Sequence, residues 1–358
     1  MKKLLLVVLL IIPVNVLAFT DTARSTIVMD TDSGRILYEK NANEKRLIAS
    51  ITKIMTAVLA IENTDVNRAV VAGDEILSMY GSSIYIELGE KMTIKDLLYG
   101  LMLRSGNDAA VVIAKNVSGN EEKFVELMNK KAKDIGMINT IYRNPHGLDE
   151  NTKNYSTAKD MALLSKYANK LDLYKEIVKT KKWTVSNGKK TYLWNNRNQL
   201  LYTYKYTTGG KTGYTPSAGR TLVTTASKDN LNLTIVTLND GNEYITHESL
   251  YEHFFSKYKK YLIVDKNNFE VNKNFFKDNT YIKENFSYPL STSELKHIKT
   301  VVRINKESNY KNNEKVGEYL VFLDKKQLFK TNIYVKLKNK NKSIIAIIKD
   351  VINKIFKR

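Results

Sequence analysis

The sequence predicts an α/β unit over residues 22 to about 258, followed by a small β domain. Three observations carry that reading. Strand patterns stand at both ends of the segment, helical periodicities fill its middle, and the composition changes after Tyr258. STIVMD (25–30) and RILYEK (35–40) flank TDSG, whose turn residues have hairpin spacing. From Ser50 the period changes. Ile51, Ile54, Met55, Val58 and Leu59 recur at i, i+3, i+4, i+7 and i+8, the face of a helix. Helical patterns continue through TIKDLLYGLML, DAAVVIAKNVSG, EEKFVELMNKKAKDIGM and TAKDMALLSKYANK. Strands return in GRTLVTTASKD and LNLTIVTLND, joined by a KDN turn, before a helix near HESLYEHFFSKY. The sheet is therefore expected to draw strands from both ends of the segment around a helical block.

Beyond Tyr258, alternating pieces such as TVVRINKE, EYLVFLDKK and NIYVKLKNK predict a small β domain over 259–340, its tyrosines and phenylalanines in the core. KSIIAIIKDVINKIFKR then closes the sequence. Ile344, Ile345, Ile347, Ile348, Val351, Ile352, Ile355 and Phe356 mark one helical stripe, with lysines off it. A core helix of the β domain would show such a stripe, but the basic residues beside it favour a helix lying in a membrane surface over 341–358.

At 358 residues, 43% hydrophobic and 26% charged, the chain has room for one large and one small globular domain. MKKLLLVVLLIIPVNVLA has the layout of a secretory signal peptide: Lys2 and Lys3, an apolar run from Leu4 to Ile12, and small residues before a cut after Ala18. That run is shorter than the about 20 residues a membrane span needs, although an uncleaved anchor is the alternative. Without cysteine, no disulfide supports the fold. A net charge of +20 suits an anionic partner. For an exported chain, lipid headgroups or wall polymers fit better than nucleic acid, and a general lysine and asparagine bias would give the same number. The four histidines, His146, His247, His253 and His297, show no metal-ligand spacing.

IASITKIMTAVLAIEN (48–63) sets Ser50 three residues before Lys53 in an otherwise apolar run. The spacing alone says little, since it recurs at Ser156–Lys159, Ser186–Lys189, Ser256–Lys259, Ser293–Lys296 and Ser308–Lys311. Context separates this pair. At the start of a helix, residues i and i+3 share a face, and burial lowers a lysine pKa toward that of a useful base. A serine hydroxyl becomes a competent nucleophile once such a base takes its proton. LRSGNDAA places Ser105 and Asn107 in a break between helical segments, where either could equally cap a helix. GGKTGYT places Lys211, Thr212 and Gly213 at the start of a strand, where a turn would use the same residues.

In this order the three stretches form the Ser-x-x-Lys, Ser-x-Asn and Lys-Thr-Gly set of penicillin-binding proteins and β-lactamases. The chain resembles the low-molecular-mass penicillin-binding proteins that act as D-alanyl-D-alanine carboxypeptidases. LYGLMLRSGNDAAVVIAKNVSG, GMINTIYRNPHGLDE, YSTAKDMALLSKYA and GGKTGYTPSAGRTLVTTAS carry the resemblance, which covers residues 25 to about 255 and extends more loosely beyond. It implies the antiparallel sheet and helical block of the penicillin-binding/β-lactamase-like transpeptidase fold over 19–258. It also implies the following roles. Ser50 would be the nucleophile and Lys53 its base, and Ser105 would relay a proton to the leaving amine. Asn107 would bind the substrate amide and help order Lys53, Lys211 would keep the pocket positive, Thr212 would meet the terminal carboxylate, and Gly213 would admit the peptide to the strand edge. Backbone N–H groups of Ser50 and Tyr214 would form an oxyanion hole. No metal or organic cofactor is implied. The implied partners are peptidoglycan stem peptides, β-lactams as inhibitors and, through 342–358, an anionic membrane surface at the outer face of the cytoplasmic membrane. A β-lactamase and a non-catalytic wall-binding or penicillin-sensing protein are the rival readings.

The sequence departs from the family at the carboxylate end. Some relatives use an arginine a few tens of residues after Lys-Thr-Gly, whereas LNDGNEYITHESL contains none. Arg197 in WNNRNQLL matches another arginine that some relatives direct toward the site. His247, near the vacant position, reads as an ordinary surface histidine, and His146 in NPHGL as structural.

Overall fold

Strands from the two ends of the larger unit meet because their side chains need cover on both faces. Every residue of STIVMD is buried. The computed structural model describes residues 19–188, 190–271, 279–305 and 310–337. The leader expected at 1–18 and the amphipathic segment expected at 341–358 lie outside the described residues. The chain divides into two compact units, Met1–Lys257 and Tyr258–Arg358.

Along the larger unit run β1 (Ser25–Asp30), β2 (Ile36–Lys40), β3 (Arg46–Leu47), α1 (Lys53–Asn63), β4 (Ala69–Val71), β5 (Lys91–Thr93) and α2 (Ile94–Tyr99). Then come α3 (Asn107–Ser118), α4 (Glu121–Asp134), β6 (Tyr155–Ser156), α5 (Ala158–Ala168), α6 (Asp172–Lys179), β7 (Lys182–Ser186), β8 (Thr191–Asn195) and α7 (Leu200–Thr203). It closes with β9 (Thr207–Thr215), β10 (Gly219–Lys228), β11 (Leu231–Leu238) and α8 (Glu243–Lys257). The main sheet has the order β2-β1-β11-β10-β9, antiparallel throughout. Ile27 sits opposite Val236, so the first strand of the unit pairs with its last. That leaves β9 as an edge strand, with one side open to a partner.

The two faces of the sheet are covered by different helices. Val223 joins the core formed by the helical block, whereas its neighbour Thr224 bonds His247 of α8 on the other side. The apolar stripe on α1 understates its burial: Lys53 through Ala60 are all buried, so the helix is enclosed on every side. Two boundaries differ from the sequence reading. Helix α8 begins at Glu243, four residues before HESLYEHFFSKY, because the sheet ends early enough to free that turn. Lys211-Thr212-Gly213 lies in the middle of nine-residue β9, not at its start. Gly209 (φ +158°) and Gly210 (φ +147°) before it take positive-φ backbone that favours glycine, close to Val178 and to the β10 backbone, so the glycines belong to the strand.

In the smaller unit, β12 (Tyr258–Val264) pairs with β14 (Phe286–Ser291). A second, four-stranded sheet has the order β13 (Asn279–Tyr281), β17 (Lys326–Lys336), β16 (Lys315–Leu323), β15 (Ile298–Ile304). Val264, Val271, Ile282, Val316, Val321, Ile333 and Val335 form its core, with Phe269, Phe286, Tyr319 and Phe329 packed against them. Among the described residues of the chain, no helix is long and apolar enough to cross a membrane.

One backbone contact holds the turn before α1 in place. Gly147 has φ +90°, and a Cβ there would lie 1.9 Å from the Ala49 carbonyl oxygen. Gly147→Ala is expected to lower stability by at least about 1–3 kcal/mol. Urea unfolding measures it, and an unchanged midpoint would show that the 144–149 loop is free to retreat.

Candidate active site

The turn that presents Ser50 is strained before it begins. Ala49 takes φ +48°, a region that non-glycine residues enter at a cost of about 1–3 kcal/mol. A 3₁₀ turn, Ala49–Thr52, follows and hands over to α1 at Lys53. Thr221 Oγ1 of β10 donates to the Ile48 carbonyl at 3.0 Å, tying this turn to the sheet.

Lys53 is buried with its Nζ 3.0 Å from Ser50 Oγ, 2.7 Å from Asn107 Oδ1 and 2.6 Å from the His146 carbonyl oxygen. As an ammonium it would donate to all three. Burial pushes its pKa well below the ordinary lysine value, the positive charges of Lys211 and Arg197 push the same way, and Asp108 opposes them. The neutral amine keeps two hydrogens for Asn107 and His146 and turns its lone pair to the Ser50 hydroxyl, which then donates. The Asn107 amide is held in that orientation by its own donation from Nδ2 to the Tyr80 carbonyl at 2.6 Å.

Ser105 reaches the site through a distorted helix end. Helix α2 widens into a π-turn, Gly100–Arg104, and Ser105 then adopts φ 66°, ψ 33°. Gly106, not Ser105 or Asn107, is the N-cap of α3, and it makes no side-chain cap. The capping alternative therefore fails for both residues: their side chains go to lysines instead. Lys211 Nζ donates to Ser105 Oγ at 3.1 Å and to the Thr212 carbonyl at 2.7 Å. Burial, then Arg197, pushes the Lys211 pKa down to about 7.

Gly213 brings β9 against the serine turn. A Cβ there would lie 2.9 Å from the Ser50 backbone nitrogen and 2.5 Å from Thr221 Oγ1. Ser50, Ser105, Thr212, Gly213, Tyr214 and Arg197 thus line one cleft of about 290 Å³. Arg197 Nη1 donates to Ser82 Oγ at 2.7 Å at its wall.

Three features escaped the sequence reading. The NPHGL loop does more than fold: its His146 carbonyl is an acceptor for Lys53, and its Pro145 carbonyl accepts from Thr56 Oγ1 at 2.6 Å. His247 is not a surface residue. It is fully buried between β10, β11 and α8, with Nδ1 2.7 Å from Thr224 Oγ1 and Nε2 3.0 Å from Thr237 Oγ1, and burial pushes its pKa down to about 3. Arg220 of β10, together with Glu243 and Tyr244 of α8, lines the cleft. The one signal for Arg220 was its place just past the turn that follows Lys-Thr-Gly.

An antiparallel sheet whose edge strand faces a serine turn and a buried lysine is the fold of the penicillin-binding peptidases. The penicillin-binding protein 5 structure from Haemophilus influenzae matches with a TM-score of 0.72 at 26% identity, over 88% of this chain and 97% of that one. That of the D-alanyl-D-alanine carboxypeptidase DacD from Francisella tularensis matches with a TM-score of 0.70 at 26% identity, over 93% and 98%. The chain belongs to the D-alanyl-D-alanine carboxypeptidase family, Peptidase S11, whose model matches residues 14–242. D-alanyl-D-alanine carboxypeptidase DacF of Bacillus subtilis is 37% identical over 256 residues, 68% of this chain and 65% of the relative. DacC of Escherichia coli K12 is 37% identical over 230 residues, 60% and 56%. The chain thus spans less than two thirds of these curated relatives' length.

The depressed Lys211 pKa makes a stability prediction with a definite sign. Between about 7 and the ordinary lysine value, the unfolded chain holds a proton on this side chain that the folded chain lacks, so folded-state stability rises with pH across that window. Lys211→Met is expected to raise the urea midpoint relative to the parent at pH 6, and the gain should shrink by pH 10. A gain that is the same at both pH values would refute the buried-charge account.

Proposed function

We propose that this chain is a serine-type D-alanyl-D-alanine carboxypeptidase that removes the terminal D-alanine from peptidoglycan stem peptides through an acyl-enzyme on Ser50. The 3.0 Å approach of a buried Lys53, whose pKa burial pushes well below the ordinary lysine value, to Ser50 carries the reading, because such an amine can take the hydroxyl proton as the nucleophile forms. Ser50 Oγ attacks the penultimate D-alanine carbonyl as its proton passes to Lys53. The oxyanion that forms is held by the backbone N–H groups of Ser50 and Tyr214, each such donor being worth roughly 2.7–4 kcal/mol of barrier. Ser105 gives its hydroxyl proton to the departing amine and recovers one from the Lys53 ammonium, which returns Lys53 to the neutral amine, while Lys211 in its protonated form keeps this end of the cleft positive. The C–N bond breaks, D-alanine leaves, and water attacks the Ser50 ester with Lys53 again taking the proton. Asn107 serves twice, ordering Lys53 and meeting the substrate amide, and Thr212 lies where the terminal carboxylate ends. A β-lactam presents a strained amide to the same serine and leaves a slowly hydrolysed acyl group.

Free D-alanine from diacetyl-Lys-D-Ala-D-Ala is the measurement. The protein is expected to release it, and Ser50→Ala to reduce release by at least about 10³-fold. Release no greater than that variant's would remove the carboxypeptidase reading. Fluorescent penicillin labelling in the same samples separates the rivals. Labelling without peptide hydrolysis indicates a sensor, and rapid loss of the label indicates a β-lactamase.

The reading also places the protein outside the cytoplasmic membrane, facing the wall. Support comes from the leader-like first eighteen residues, the charge of +20 and the apolar stripe with flanking lysines in 342–358. Near an anionic surface each basic residue adds about 1 kcal/mol to such binding. Deleting 342–358 is expected to move the protein from the membrane to the soluble fraction. Unchanged fractionation would rule out that anchor.

A further inference from the structure

The arginine missing from LNDGNEYITHESL has a substitute on a different element. Arg220 is the second residue of β10 and sits directly opposite Tyr214 of β9. Opposed residues in an antiparallel pair, and residues two apart on one strand, share a sheet face, so Arg220, Tyr214 and Thr212 stand together. The guanidinium carbon lies 5.6 Å from the Tyr214 ring centre, a stacking position that limits how the side chain swings. Its Nη1 is 3.4 Å from Glu243 Oε1, at the long end for a hydrogen bond. Glu243 is 9% exposed, whereas 55% of the Arg220 side chain is open to solvent. A guanidinium has five donors in a rigid fork, and one long contact to Glu243 leaves most of them available.

We propose, resting on the carboxypeptidase reading, that Arg220 is the receptor for the substrate's terminal carboxylate in this chain, with Glu243 as its resting counter-ion. The position fits the chemistry. Arg220 and Thr212 line the cleft that also holds Ser50 and Ser105, so a peptide acylating Ser50 can extend its last carboxylate toward the guanidinium. Carboxylate and guanidinium match through two parallel hydrogen bonds. Arg197 enters from the loop after β8 and donates from Nη1 to Ser82 at the cleft wall, where its charge adds to the positive field. Glu243 competes with the incoming carboxylate for the same fork, which makes it a tuning group for affinity.

The test compares diacetyl-Lys-D-Ala-D-Ala with its C-terminal carboxamide. Arg220→Gln is expected to raise KM for the free acid by about tenfold to a hundredfold, the effect of one charged hydrogen bond, with kcat within about threefold. Its preference for acid over amide should collapse, and Arg220→Lys should restore part of it. Glu243→Gln, which removes the competing charge, should lower KM. A parallel measurement needs no turnover: NMR titration of both peptides into Ser50→Ala and Ser50→Ala/Arg220→Gln, where the second substitution should weaken binding of the acid alone. This arm separates failure of the inference from failure of the carboxypeptidase reading. Final stoichiometry of fluorescent penicillin labelling confirms that the Ser50-containing variants are folded. Unchanged acid-over-amide discrimination in Arg220→Gln, or equal acid binding by the two Ser50→Ala proteins, would overturn the assignment. A higher KM in Glu243→Gln would overturn the competing role of Glu243.

Discussion

A lysine enclosed on every side, with one serine hydroxyl, one amide oxygen and one backbone carbonyl within hydrogen-bond reach, is the constraint on which this structure turns. Enclosure favours the uncharged amine, and the three contacts settle where its hydrogens and lone pair point. Two further cations nearby, Lys211 and Arg197, push in the same direction. Together they favour the neutral form of Lys53 while it stays within reach of Ser50.

Much of the larger unit's architecture serves that arrangement. The first and last strands pair so that the serine turn is bound to the sheet through Thr221 and Ile48. The order of the sheet leaves β9 at the edge, where an extended peptide can lie alongside it. The π-turn at 100–104 delivers Ser105 in a left-handed conformation toward Lys211, and Gly147 allows the 144–149 loop to press a carbonyl against Lys53. Strain at Ala49 and two buried lysines both oppose folding, which places the site at the expense of stability.

Most of the longer helices were legible in the sequence because their periodicity is local, whereas the short α6 and α7 were not read. So were the hairpin at 25–40 and the strand pair at 219–238, which are bounded by turn residues. The contact between Ser50 and Lys53 was legible only through its context, since five other Ser-x-x-Lys spacings occur along the chain. What stayed hidden was long-range or carried by the backbone. The His146 carbonyl has no side-chain signature. The burial of His247 depends on threonines from two strands, so a polar residue near a helix start looked exposed. Arg220 reaches the cleft by pairing with Tyr214 across the turn after Lys-Thr-Gly, a register that depends on where that turn closes. Reading Lys-Thr-Gly as a strand start failed for a similar reason: the glycines before it suggest a turn until the close approach of β10 is seen.

The most direct test of the account is the titration of Lys53 itself. With ¹³C/¹⁵N-labelled lysine, the Lys53 signal can be assigned by its loss in Lys53→Arg and followed by NMR from mildly acidic to alkaline pH. The account requires the side chain to lose its proton far below the about 10.4 of a solvated lysine. A Lys53 that titrates with the exposed lysines would contradict it.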